Sequence, residues 1–225
     1  MAEPVKSRRY HSPERRQRAE ATRARVLAAA GELFAAQGYQ ATTTVAIARA
    51  AGVSEASVFV AFGSKAALLI AVIGAAVAGS AQDVPLRQQP VWRELAAETH
   101  RTQAVTNFVS FARSAHQRTW GLLAMIRAAA QGDPGLAEAV TRAGQARHSD
   151  CEWFATTVLG LPASEPGTAA AVDVLWAQTS VEVYRMLVID QGWSPERYET
   201  WLTAALCREL GVDAPAEPDN GASGA

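Results

Sequence analysis

Side chains able to do chemistry are sparse in this 225-residue chain and fall into three groups. The first is a set of hydroxyls that open short helical stretches: Thr43 before 44–51, Ser54 before 55–62, and Ser64 before the run that starts at Lys65. Such a hydroxyl accepts a hydrogen bond from the first turn, and the outward N–H groups of that turn attract phosphate. Just after Ser54 stand Glu55, a hydrogen-bond acceptor, and the apolar Ala56 and Val60. The second group is His148, Cys151 and Glu152, whose i, i+3, i+4 spacing puts them on one helix face, as a metal site begins. No second cluster accompanies them, His100 and His116 stand alone, and an ordinary solvated face with no metal is expected. The third group is aromatic: Trp92, Trp120, Trp153, Trp176, Trp193 and Trp201 all lie in the later two thirds. A nucleophile elbow, a phosphate loop and an HExxH pair are all missing. The expectation is therefore no catalytic residue, no enzyme and no cofactor.

The elements that must position these groups are helices. Val26, Ala30, Leu33, Phe34 and Gln37 repeat at helical spacing from Thr22, and Gly38 suits the end of that helix. Short helices at 44–51, stopping at Gly52, and 55–62, closed by Gly63, are followed by one from Lys65 to about Ser80. Val58 and Phe62, four apart, should face the core. Ala66–Ala81 is the most membrane-like stretch, but it is shorter than the roughly 18 apolar residues a span requires and reads as a buried helix. Beyond Pro85 and Pro90, helices are predicted at 91–97, 102–118, 120–131, 135–159, 168–191 and from Ser194-Pro195-Glu196 onward. No stretch alternates with the period of a strand, so the fold class is all-α. The expected organisation is a basic flexible arm over 1–19, a helix-turn-helix domain over 20–80, a second helical domain over 81–213, and a disordered tail over 214–225.

Composition sharpens this division. With 49% apolar and 19% charged residues the chain falls in the globular range, and its formal charge is only -1. Residues 1–68 nevertheless balance to +5 and the remainder to -6. That asymmetry suits a polyanion-binding head on an acidic body. Two cysteines exclude a disulfide framework, and no apolar core of a signal peptide follows Met1, so a cytoplasmic location is expected.

At this point a resemblance becomes specific. Residues 26–69, VLAAAGELFAAQGYQATTTVAIARAAGVSEASVFVAFGSKAALL, resemble the DNA-binding domain of the TetR family of bacterial transcriptional regulators. The landmarks are Leu33-Phe34, Gly38-Tyr39, Thr42-Thr43, Ile47-Ala48, Ala51-Gly52-Val53-Ser54, Phe62 and Ser64-Lys65. By that resemblance Thr43 and Lys65 match phosphate-contacting positions, and Ser54, Glu55, Ala56 and Ser57 match the groove-facing start of the recognition helix. Thr42, Phe59, Val60 and Arg23 complete the expected DNA-binding set. Phe59 and Ala61 depart from the family's usual polar residues, and Val45 and Ala46 are apolar where the family tends to be polar. Two readings stay open. In one, the site is read by methyl contacts and shape while Arg8, Arg9, Arg15, Arg16, Arg18, Arg23 and Arg25 supply affinity. In the other, the head is degenerate and the protein is a small-molecule-binding helical dimer.

For the body, the resemblance implies a ligand-binding and dimerisation domain. Phe108, Phe111, Trp120, Met125, Trp153, Trp176 and Thr179 are candidate pocket residues for an unknown small-molecule effector, with ordinary core or dimer seam as the alternatives. The last two helices carry seams near 3.5-residue spacing, so Val172, Val183, Leu187, Tyr198, Trp201, Leu202 and Leu206 are candidates for a homodimer interface. The expected function is a dimeric, ligand-responsive regulator, a repressor on an approximately palindromic double-stranded operator, with no membrane partner.

Overall fold

The computed structural model describes residues 13–81 and 86–213. The described residues are helical with no strand, and they divide into two compact units. Of the described residues, 13–75 and 80–81 form one unit, and 76–79 with 86–213 form the other. Residues 1–12 of the expected arm and the whole expected tail lie outside the described residues. Residues 13–19 of that arm are already helix.

In the N-terminal unit, α1 (Pro13–Ala41) is broken at Gly38, whose φ of 79° and ψ of 172° suit only glycine. Its buried face is Val26, Leu27, Ala30 and Phe34, whereas Gln37 is exposed despite its place in the apolar rhythm. α2 (Thr44–Ala51) and α3 (Glu55–Phe62) follow at the predicted bounds and meet at 106°. That corner requires Gly52, which sits left-handed at φ 65° while its N–H reaches the Ala48 and Arg49 carbonyls. Ile47, Ala48 and Ala51 bury one face of α2, and α3 buries only Val58. Phe62, expected in the core, is half-buried and is covered instead by the Arg23 guanidinium 4.8 Å above its ring. α4 (Lys65–Ala78) adds Leu68, Leu69 and Val72 to the core.

The break at Gly38 frees carbonyls that no helical N–H can reach, and two side chains take them. The buried Thr42 hydroxyl lies 2.7 Å from the Gly38 carbonyl and 3.2 Å from that of Leu33. Lys65 donates from Nζ to the carbonyls of Tyr39 (2.9 Å) and Thr42 (3.1 Å), with its ammonium 4.3 Å from the Tyr39 ring centroid. Lys65 thereby ties the start of α4 to the chain that joins α1 to α2.

The C-terminal unit contains α5 (Pro90–Ala97), α6 (Arg101–Ala130), α7 (Pro134–Trp153), α8 (Pro166–Gln178), α9 (Val181–Tyr184) and α10 (Pro195–Glu209). Three departures from the predicted elements have local causes. α6 is one helix where two were expected, because Thr119 continues the ladder and its hydroxyl donates back to Ala115 at 2.7 Å. α7 ends in a π-helical turn, Phe154–Val158, that seats Phe154 against Phe108 with ring centroids 4.1 Å apart. The helix predicted over 168–191 is broken after Gln178. Thr179 leaves helical geometry, Ser180 caps α9 by accepting from Val183, and Arg185–Asp190 is again π-helical.

His116, buried in α6, bridges to that break, its Nε2 2.9 Å from the Thr179 carbonyl. Because the partner is an acceptor, Nε2 carries the proton, and burial pulls the pKa of the ring down to about 4. α10 begins at its predicted signal, capped by Ser194 with proline in the first turn, and α7 is capped in the same way by Asp133. No single helix among the described residues is long and apolar enough to cross a membrane.

Two measurements check these assignments. Lys65→Met keeps the aliphatic stem but removes both bonds to the Gly38 turn, and should lower stability by about 1–3 kcal/mol in urea unfolding. His116 is neutral in the fold and titrates near 6.5 when unfolded, so its contribution is complete above pH 6.5 and declines as pH falls towards about 4. Between pH 7.5 and 5 the wild type should lose roughly 2 kcal/mol more than His116→Gln, compared by urea midpoints at the two pH values.

Candidate nucleic-acid interface

The N-terminal unit presents a corner of two eight-residue helices, and their caps determine which polar atoms remain for a ligand. Thr43 is exposed and its Oγ1 accepts from the Ala46 N–H at 3.1 Å. A hydroxyl that accepts with its oxygen still has its hydrogen to donate, so capping and a phosphate bond can coexist. Ser64 is in the same position, accepting from the Ala67 N–H at 3.0 Å. Ser54 accepts from the Ser57 N–H at 3.1 Å, and the two hydroxyls lie 2.8 Å apart. One of that pair donates to the other, leaving a single hydroxyl hydrogen for an outside acceptor.

Glu55 is engaged as well: Thr44 donates to its Oε1 at 2.7 Å across the corner. Thr44 is a neighbour of this candidate site that the sequence did not reveal, because it stands eleven residues from Glu55 and only the 106° turn brings them together. The rest of the outer face of α3 is apolar. Phe59 is 68% exposed and Val60 86%, with Ala56 exposed beside them and Val45 of α2 at 51%. Large apolar groups bared to this degree on a small unit mark a contact surface.

Three of the expected DNA-binding residues have other positions. Thr42 is fully buried with its hydroxyl directed at the Gly38 turn, so it cannot reach a duplex. Lys65 is half-buried and donates two of its three N–H groups to carbonyls, which makes it first a brace. Arg23 lies over Phe62 at the side of α3. Thr43, Ser54, Glu55, Ala56, Ser57, Phe59 and Val60 are all exposed.

The C-terminal unit does not gather the candidate pocket residues around one cavity. Phe108, Phe111 and Trp153 join Trp92 in an aromatic core, with Phe108 only 5% exposed. Trp120 lines a cleft of about 350 Å³ between α6 and α9, with Arg127, Val181, Glu182 and Arg185. Trp176 lines a separate groove with Val140, Gly144, His148 and Asp173. Met125 is half-buried and Thr179 is buried at the end of α8. The indole N–H of Trp92 and the hydroxyl of Tyr198 are buried without a hydrogen-bond partner.

Among the candidate interface residues, Val172, Tyr198, Leu202 and Leu206 are buried within one subunit, at 4% exposure or less. They are core, because α10 turns that seam inward onto α6 and α8. Trp201 is 38% exposed, Val183 and Leu187 are half-buried, and Trp176, Met186 and Ile189 add exposed apolar area that the periodicity did not single out. The face of His148, Cys151 and Glu152 is likewise split. His148 turns to Asp173 at 3.6 Å, Glu152 is exposed, and burial raises the Cys151 thiol to about 11.

Residues 26–72 match the model of the bacterial regulatory proteins of the tetR family. A comparison with curated protein sequences found no match. Among solved structures, the fatty acid degradation regulator FadR from Bacillus halodurans is similar at a TM-score of 0.61 and 16% identity, covering 84% of this chain and 95% of that one. FadR from Bacillus subtilis in complex with stearoyl-CoA gives 0.62 at 14% identity, covering 81% and 96%. A TetR-family regulator from Mesorhizobium loti gives 0.58 at 18% identity, covering 86% and 97%. Residues 26–72 therefore carry a domain of the tetR-family type, and the chain as a whole shares the fold of these solved structures.

Proposed function

We propose that this protein is a ligand-responsive repressor that binds an approximately palindromic operator as a homodimer. The observation that carries the reading is the capped 106° corner, which offers the exposed start of α3 from a unit whose sequence is basic. An eight-residue helix enters a major groove about 12 Å wide, and two such heads one helical turn apart call for two half-sites. Thr43 and Ser64 hold hydroxyl hydrogens that suit phosphates on either side. Specificity rests on Ala56, Phe59 and Val60, whose chemistry suits thymine methyls rather than hydrogen-bonding edges. Affinity is assigned to the arginines of the arm and α1, since α3 has no basic residue.

The body serves as the effector-binding and dimerisation half. Trp201, Trp176, Met186 and Ile189 supply the exposed apolar area for the dimer. FadR from Bacillus subtilis, similar in fold, was solved in complex with stearoyl-CoA, which supports a small-molecule effector here. A coupling of about 1.4–2.8 kcal/mol between effector and operator corresponds to a 10- to 100-fold change in DNA affinity. Release from DNA inside the cytoplasm completes the proposal, with no catalytic step.

The second reading, a helical dimer that senses a small molecule without reading DNA, is favoured by one feature. Glu55, Ser54 and Ser57 already satisfy one another or Thr44, so α3 has few free polar groups.

Selection of a bound fragment from random duplex DNA, followed by gel shift, separates the two. The regulator reading expects a two-fold symmetric site and a steep loss of affinity with salt, near -0.9 in log–log slope per phosphate neutralised. Failure to enrich any sequence would leave only the second reading. Val60→Ser should weaken the selected complex about five- to thirtyfold through the lost methyl contact and leave thermal stability unchanged. In sedimentation, Trp201→Ala should shift the dimer towards monomer, and a wild type monomeric at micromolar concentration contradicts the dimer.

A further inference from the structure

The body is acidic in sequence, yet one corner of it holds arginines in excess. Arg147, near the middle of α7, is half-buried. Its guanidinium lies 4.9 Å from the Trp176 ring centroid, and Nη1 is 3.3 Å from Oγ1 of Thr179. No carboxylate among the described residues forms an ion pair with it. Its buried neighbours bring no negative charge either: His116 is neutral and the Cys151 thiol stays protonated. Burial pushes the pKa of Arg147 down, and the nearby Arg127 of α6 pushes the same way.

Other arginines of this unit are provided for. Arg113 meets Glu199 at 2.5 Å, Arg87 meets Asp150 at 2.9 Å, Arg127 meets Glu182, and Arg118 donates to the Ala76 and Val77 carbonyls. A guanidinium drawn from water beside a second cation, with most of its donors unspent, is stabilised when an anion arrives. Arg127 also lines the 350 Å³ cleft whose apolar walls are Trp120, Ala124, Ala128 and Val181, and Val181 follows Thr179 by two residues. Arg127 thus both neighbours Arg147 and lines the cleft.

We propose that the body binds an amphiphilic acid, its carboxylate or phosphate held by Arg147 beside Thr179 and its apolar part in the cleft walled by Trp120 and Val181. The proposal rests on reading this unit as the effector-binding half. The planar guanidinium, braced by the Trp176 ring and Thr179, takes an acidic group through two parallel N–H donors, and the absence of a protein carboxylate keeps the place open.

The test uses the full chain with octanoate and octyl phosphate as probes and 1-octanol as the neutral control, followed by tryptophan fluorescence and thermal unfolding. At least one acid should bind saturably and raise Tm, with octanol tenfold weaker or more. Arg147→Gln should weaken the acid at least tenfold, Arg147→Lys should retain part of the affinity, and Arg142→Gln, on the exposed face of the same helix, should match wild type. Equal binding of octanol, an unchanged affinity in Arg147→Gln, or no saturable response to either acid overturns the proposal. So does a loss of dimer in Arg147→Gln with acid binding unchanged, which would assign Arg147 to a carboxylate of a second copy. Gel shift in parallel keeps the two readings apart: an acid that binds through Arg147 without altering DNA affinity sustains the site and removes its regulatory role.

Discussion

An eight-residue helix has too few internal hydrogen bonds to persist alone in water, and the N-terminal unit is built around two of them. Everything the head presents depends on holding α2 and α3 from outside. Caps supply the first turn of each, Gly52 supplies the corner, and a strip of Ile47, Ala48, Ala51 and Val58 supplies the burial. The remaining requirement is a fixed floor, which Lys65 and Thr42 create by collecting the carbonyls that the break at Gly38 leaves free. A lysine in this place does structural and electrostatic service together, because an ammonium fixed near the surface still projects its charge.

The body meets a related constraint with a different device. A continuous helix over 168–191 would leave no reason for its backbone to engage α6. Breaking it at Thr179 exposes a carbonyl that His116 takes from across the core. The same residue offers its hydroxyl to Arg147, so one irregular residue organises three helices. The π-helical turns at 154–158 and 185–190 belong to the same pattern: each re-aims side chains at the end of a helix instead of starting a new element.

Charge is divided along these lines. Eight of the ten basic residues of 1–68 precede Val26, and the exposed face of α3 is apolar. Positive charge and exposed apolar surface therefore belong to different segments of the head. In the body, where acids are in excess, the cluster at Arg147 runs against the average, which gives it meaning that the net charge of -1 conceals.

The sequence by itself determined the helical class, the bounds of α2 and α3, the caps at Thr43, Ser54 and Ser194, and the glycine at the corner. All of these are local: a hydroxyl and an N–H three residues apart, or a backbone angle that only glycine tolerates. Tertiary structure alone decided that Thr42 and the seam of Tyr198, Leu202 and Leu206 face inward, since a helical stripe announces burial without naming what buries it. It alone joined Thr44 to Glu55, His116 to Thr179 and Lys65 to Tyr39, contacts 11 to 63 residues apart in the chain. It alone separated Trp120 and Trp176 from the aromatic core. Periodicity reports which face of a helix is apolar, and only packing decides whether that face meets its own chain, a second chain or a ligand.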